Sequence, residues 1–303
     1  MRLSRILIVV GWLTLLLGCG AMVRDADSLN SANAKGGMVK QKDVVYIQRK
    51  GVDKKRTSLD IYHHEDTNQL RPIIVYIHGG GWGIGDKSNA MRFKPGWAIR
   101  NGWILVSINY RLSPDVMHPE HARDAAAAVA WVFEHAEEFG GDAKQIAVMG
   151  HSAGAHLAAI VACDETLLGE YGMTTDQVAA VVLLDGAGYN LPDRMGSLPA
   201  RGGATRMFKA AFGDDPELWI AASPTLQALP GDQLAPLFAI HADGRKIAQS
   251  QTVGLVKAWA ATGARAEIHH APNKTHSTLN RRFGIRTDKE TMRVEVFLES
   301  VFD

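Results

Sequence analysis

The sequence predicts an α/β fold, a mostly parallel sheet flanked by helices. Three observations carry that expectation. Short, largely apolar runs at 73–77, 103–108, 146–149, 178–184 and 236–240 have strand length. Longer stretches between several of them read as helices, and strand–helix alternation implies right-handed parallel crossovers. One strand passes into a helix through Gly150-His151-Ser152-Ala153-Gly154, a turn too sharp for a Cβ on either side of the serine.

The elements follow in order. Residues 44–48 and 58–62 are predicted as a hairpin that starts the sheet. The run 73–77 is continuously apolar, as in a strand covered on both faces. A helix is expected over 89–100 and a strand over 103–108. The Ala-rich stretch 118–138 reads as a long helix stopped at Gly140-Gly141, with Asp124, Ala128 and Trp131 as a core-facing stripe. After the serine turn, 155–163 is helical and 178–184 a strand. The rhythm then breaks over 186–223, which is rich in Gly, Pro, Arg and Met. It reads as a small cap or as a long surface excursion. Strand 236–240, helix 246–262, strand 266–269 and helix 287–301 close the chain.

The chain has 303 residues, 46% of them hydrophobic, and a formal net charge of +1. That suits one α/β domain with a large core, and nothing here marks a nucleic-acid surface. Arg2 and Arg5 precede an apolar run over 6–17 that is short for a membrane span. Residues 1–18 therefore read as a signal peptide. Leu16-Leu17-Gly18-Cys19 resembles the lipobox of bacterial lipoproteins, which implies lipidation of Cys19. The alternatives are an ordinary signal or an uncleaved anchor. On the lipoprotein reading, residues 19–41 form a flexible tether and 42–303 the catalytic domain, held on the periplasmic side of a bacterial envelope. Gly20 after the cysteine suggests no retention at the inner membrane. Cys163, the other cysteine, reads as a small packed apolar residue.

A second motif, His78-Gly79-Gly80-Gly81-Trp82, directly follows the run 73–77. Consecutive glycines leave backbone amides open to a ligand. The Gly-Lys-Ser/Thr ending of a phosphate loop is absent. A strand, Gly-x-Ser-x-Gly and a helix form the setting of a nucleophile elbow, which presents Ser152 and the Ala153 amide.

Together with Leu59-Asp60-Ile61-Tyr62, Gly85-Asp86-Lys87, Asn109-Tyr110-Arg111-Leu112-Ser113-Pro114 and Lys274-Thr275-His276, these motifs resemble the α/β-hydrolase superfamily. The likeness is to the carboxylesterase branch related to hormone-sensitive lipase, kynurenine formamidase and bacterial feruloyl-esterase-like hydrolases, and it runs from about residue 44 onward. It implies a serine hydrolase that cleaves carboxylic esters of small substrates through an acyl-enzyme, with no cofactor or metal. An amidase of the kynurenine-formamidase kind and a non-catalytic binding module are the other readings.

A serine hydroxyl needs a base, and the base an orienting acid; in this fold they follow in the order Ser, acid, His. The family segment implies His276 as the base, with His270 the alternative. His156 reads as structural. The acid is Asp243 or Asp185, both at strand ends. The family position, in a His-Gly-x-x-Asp pattern met here as His241-Ala242-Asp243-Gly244-Arg245, favours Asp243. The expected oxyanion donors are the amides of Gly80, Gly81 and Ala153. Trp82 and Tyr189 are candidates to line the substrate pocket or simply to pack. Asp86 is expected to brace the oxyanion loop. His63-His64-Glu65-Asp66 reads as a solvated turn rather than a metal site.

Overall fold

A computed structural model describes residues 37–302. The candidate signal peptide, Cys19 and residues 19–36 of the tether lie outside the described residues. Strand β1 (Met38–Val45) belongs to the sheet, so the sheet takes in residues 38–41, which are expected from the sequence to lie in the tether. It pairs antiparallel with β2 (Ser58–His64), and its register shifts between Gln41 and Val44, where Asp43 takes a φ of 55°. After β3 (Arg71–Ile77) come α1 (Lys94–Arg100) and β4 (Ile104–Ile108). The helix expected from 89 starts only at Lys94, where Pro95 near its N-terminus supplies a fixed φ.

The chain continues through α2 (Glu120–His135), a 3-10 turn at Ala136–Phe139 and β5 (Gly141–His151). Next are α3 (Ala153–Cys163), α4 (Glu165–Gly169) and β6 (Ala180–Leu184). Residues 186–223 hold α5 (Leu191–Gly196), α6 (Gly203–Phe212) and α7 (Pro216–Ala221). Then follow α8 (Pro224–Gln227), β7 (Leu237–Ala242), α9 (Lys246–Ala261) and β8 (Ala266–Ala271). Helices α10 (His276–Arg281) and α11 (Lys289–Phe302) end the described chain.

The eight strands form one sheet in the order β1-β2-β4-β3-β5-β6-β7-β8, parallel from β4 to β8. Alternate residues of each central strand feed opposite cores. Ile73, Val75 and Ile77 pack with α2, α3 and α9, whereas Ile74 and Tyr76 pack with α1, α10 and α11. These side chains are fully buried, each worth about 1.5–3 kcal/mol over an exposed one. That two-sided burial is the physical reason for the unbroken apolar run.

Two sequence expectations change inside this frame. Asp124 does not join an apolar stripe. It is fully buried and takes hydrogen bonds from Arg49 Nε and from Nε and Nη2 of Arg111. His63 is buried rather than solvated, with Nδ1 2.8 Å from the His64 carbonyl and Nε2 3.1 Å from Gln41 Nε2. Among the described residues no helix is long and apolar enough to cross a membrane, and no cluster of three or more His, Cys, Asp or Glu residues is arranged to hold a metal ion.

Candidate active site

The site forms at the carboxyl ends of β3, β5, β6 and β7. Strand β5 delivers Ser152 at φ 57° and ψ −120°, a backbone conformation that a non-glycine residue holds only when its surroundings enforce it. The enforcing contacts are backbone on backbone. A Cβ at Gly150 would stand 2.0 Å from the Gly154 carbonyl oxygen, and one at Gly154 would stand 2.1 Å from that of Ile77. Both flanking glycines are therefore required by space.

The loop after β3 lies against this turn. A Cβ at Gly79 would come within 3.0 Å of Ser152 Cβ, so the main chain itself approaches the serine. Gly80 and Gly81 have φ values of 128° and 58°. Among the described residues, the amides of Gly80, Gly81 and Ala153 have no acceptor. His78 fixes the start of the loop. Its Nδ1 lies 2.7 Å from the Gly79 carbonyl, its ring stacks on Tyr110, and the Tyr110 hydroxyl donates to the His78 carbonyl. Burial lowers its pKa to about 4, so the ring is neutral and Nδ1 can donate. Asp86 accepts from the Ser88 amide and hydroxyl and from Asn109 Nδ2 at 3.3 Å. It thereby ties the far end of the loop to the end of β4.

His276 opens α10 behind the N-cap Thr275. Its Nε2 is 3.0 Å from Ser152 Oγ, and its Nδ1 is 2.7 Å from Asp185 Oδ2. Asp185 follows β6 at φ 53° and is completely buried. Burial opposes its charge. The hydrogen bonds from His276 and the Ala242 amide, together with Arg245, outweigh that and hold its pKa down at about 2. With Nδ1–H donating to the carboxylate, Nε2 is free to take a proton from the hydroxyl.

Asp243, the preferred acid on sequence grounds, is a correction. Its amide donates to the Lys274 carbonyl, and its carboxylate lies 3.4 Å from His270 Nε2, at the surface. Its position right after β7 turns it outward. In the expected pattern the acid would fall at 245, and here that residue is an arginine. Arg245 Nη1 bonds both Oδ2 and the carbonyl of Asp185 and lies 2.6 Å from His276 Nδ1. Sequence reasoning missed this contact, although the basic residue in an acid's place was the available signal.

It also missed His151. The His151 ring lies 4.4 Å from that of His276, and its Nε2–H donates to the His276 carbonyl at 2.9 Å. Burial, then the neighbouring His276, lowers its pKa to about 3, so it stays neutral.

The two pocket candidates are buried. Tyr189 is fully enclosed, and a Cβ at Gly186 would stand 2.2 Å from its hydroxyl oxygen. Trp82 makes edge contacts with His156, Phe208 and Phe212. Both therefore pack instead of lining an open wall, Trp82 by joining the glycine loop to α6. Met207 of α6 closes on the same loop, since a Cβ at Gly81 would stand 2.2 Å from its Sδ. His156 is structural in place, with Nε2 2.8 Å from the Ala222 carbonyl. Cys163 is buried, and burial pushes its thiol pKa up, which suppresses the reactive thiolate.

The chain is similar to several known proteins. The chain is 32% identical to esterase LipQ of Mycobacterium tuberculosis, over 70% of this chain and 53% of the relative. It is 28% identical to a probable isoprenylcysteine alpha-carbonyl methylesterase, ICMEL1, of Arabidopsis thaliana, over 77% and 52%. The chain thus spans about half the length of these curated relatives. Among solved structures, an inhibited esterase B from Lactobacillus rhamnosis superposes with a TM-score of 0.71 at 22% identity, covering 88% of each chain. A truncated carbohydrate esterase from gut microbiota gives 0.71 at 21%, covering 91% of this chain and 98% of the other. These likenesses show the α/β-hydrolase fold. The BD-FAE family model matches residues 59–256, which include the glycine loop, the serine turn and Asp185, and the chain belongs to that family.

Proposed function

We propose that this protein is a serine carboxylesterase that cleaves carboxylic esters of small substrates through an acyl-enzyme. The observation that carries the reading is the unbroken relay from Asp185 through His276 to Ser152, facing three amides without acceptors. Ser152 Oγ attacks the acyl carbon as His276 Nε2 takes its proton. The carbonyl oxygen becomes an oxyanion held by the amides of Gly80, Gly81 and Ala153, each worth about 3 kcal/mol in the transition state. The protonated His276 then gives its proton to the departing alcohol as the C–O bond breaks. Water, deprotonated by the same imidazole, attacks the acyl-enzyme and releases the acid. The esterase names of the relatives support the reaction class.

Incubating the purified domain with p-nitrophenyl acetate and butyrate tests the proposal. Turnover is expected, with a loss of at least about a thousandfold in kcat for Ser152→Ala and for His276→Ala. Faster turnover of N-formylkynurenine than of either ester would instead favour an amidase, and no turnover of any of them a binding module. We also propose that Cys19 anchors the chain to the membrane. Radiolabelled palmitate should enter the full chain and not its Cys19→Ser variant.

A further inference from the structure

Arg245 sits in the turn between β7 and α9, and it grips Asp185 twice. Its Nη1 reaches the main-chain carbonyl at 3.2 Å and also the carboxylate oxygen Oδ2, the oxygen that His276 uses. Asp185 has a left-handed backbone at φ 53°, so a clamp on both its carbonyl and its carboxylate fixes the aim of its side chain. The same nitrogen is 2.6 Å from His276 Nδ1. A guanidinium keeps its charge at any working pH. It therefore opposes the imidazolium that forms when Ser152 gives up its proton, while Asp185 favours it.

The other groups around His276 do not duplicate this effect. His151, at the end of β5, is neutral. Lys94 of α1 donates to the carbonyl and side-chain oxygen of Asn280 in α10, and burial lowers its pKa to about 7. Arg194 of α5 lies over the Phe208 ring and senses Arg245, and it makes no ion pair among the described residues.

We propose that Arg245 is a positioning residue of the relay, which holds Asp185 in line with His276 and shifts the working range of the enzyme toward lower pH. The inference rests on the serine-esterase reading. It is tested by the pH dependence of kcat/KM on p-nitrophenyl butyrate. In Arg245→Gln the acidic limb should move up by about one pH unit, because a unit charge at such range typically shifts a titration by that much or more. The plateau should fall several-fold as Asp185 loses its clamp. Arg245→Lys should restore the limb and not the plateau, since it keeps the charge and loses the planar fork. A limb that stays in place in Arg245→Gln, or that moves equally in Gln and Lys, would overturn the proposal.

A measurement on the unaltered protein covers the case of a variant that does not fold. The Arg245 side chain is 33% exposed and Asp185 0%. Arg245 stands 2.6 Å from His276 Nδ1, well inside the Debye length of about 8 Å, so added salt should leave the acidic limb nearly in place. A limb that shifts by about a unit with salt would show that distant surface charges set it, and would count against the proposal. If the wild type cleaved no ester, the esterase reading would fail. The NMR titration of the His276 imidazole in wild type and Arg245→Gln would still decide whether Arg245 acts on it.

Discussion

The ends of β6 and β7 are neighbours in the sheet, and each carries an aspartate just past its last strand residue. They end up in opposite environments. Asp185 is buried and takes hydrogen bonds from His276, the Ala242 amide and Arg245. Asp243 is exposed, and its carboxylate accepts from the Gly244 amide and stands near the partly exposed His270. The difference comes from backbone direction. Asp185 N donates to the Ile240 carbonyl of β7, which keeps the residue inside the sheet's edge, and its left-handed φ turns the side chain toward α10. Asp243 N is held by the Lys274 carbonyl and points its carboxylate away. An acid in a relay is defined by what it faces, and not by which strand it follows.

The largest expected effect follows directly. Asp185→Asn keeps the shape but offers an amide where the His276 Nδ1–H needs an acceptor of fixed orientation. It should lower kcat by on the order of 10⁴ on p-nitrophenyl butyrate. A loss under tenfold would break the contrast between the two strand ends. Next comes His151, which holds the His276 carbonyl from the end of β5. His151→Ala should lower kcat by about ten- to a hundredfold through misplacement of His276, with the fold intact by circular dichroism.

A third expectation concerns pH. Asp185 has a folded pKa of about 2, below its ordinary 3.8, so its contribution to stability is complete above about pH 4 and disappears as pH falls through about 2. The buried histidines act higher. Burial lowers His118 and His151 to about 3, and His78, His121 and His156 to about 4, from 6.5. The unfolded chain thus binds protons first, and stability falls as pH drops below 6.5. Each such histidine costs up to about 1.4 kcal/mol per pH unit. Urea midpoints should decline steadily from pH 6.5 toward 4, and a flat profile would contradict the neutral burial of these rings. The smallest effect belongs to Asp243→Asn, which should change kcat by less than about twofold.

Much of this was legible in the sequence because it is local. The run 73–77 announces two-sided burial, and Gly150 and Gly154 announce a serine turn with no space for a Cβ. The segment Lys274-Thr275-His276 places the imidazole, although the six-residue helix it opens is too short to read. What was not legible depends on approach between distant segments. The choice of Asp185 rests on a residue 91 positions away, and the burial of Asp124 on Arg49, 75 positions away. Of the two readings open for Trp82, lining the pocket or packing, the choice also rests on distant segments. The α6 aromatics that pack on it, Phe208 and Phe212, come from far along the chain.

The contrast between the two strand ends reduces to one proton. In the wild-type protein the His276 Nδ1–H donated to the buried carboxylate should give a far-downfield ¹H resonance, which NMR detects without any substrate. That resonance should vanish in Asp185→Asn and remain in Asp243→Asn. Its loss in Asp243→Asn, with retention in Asp185→Asn, would contradict the account.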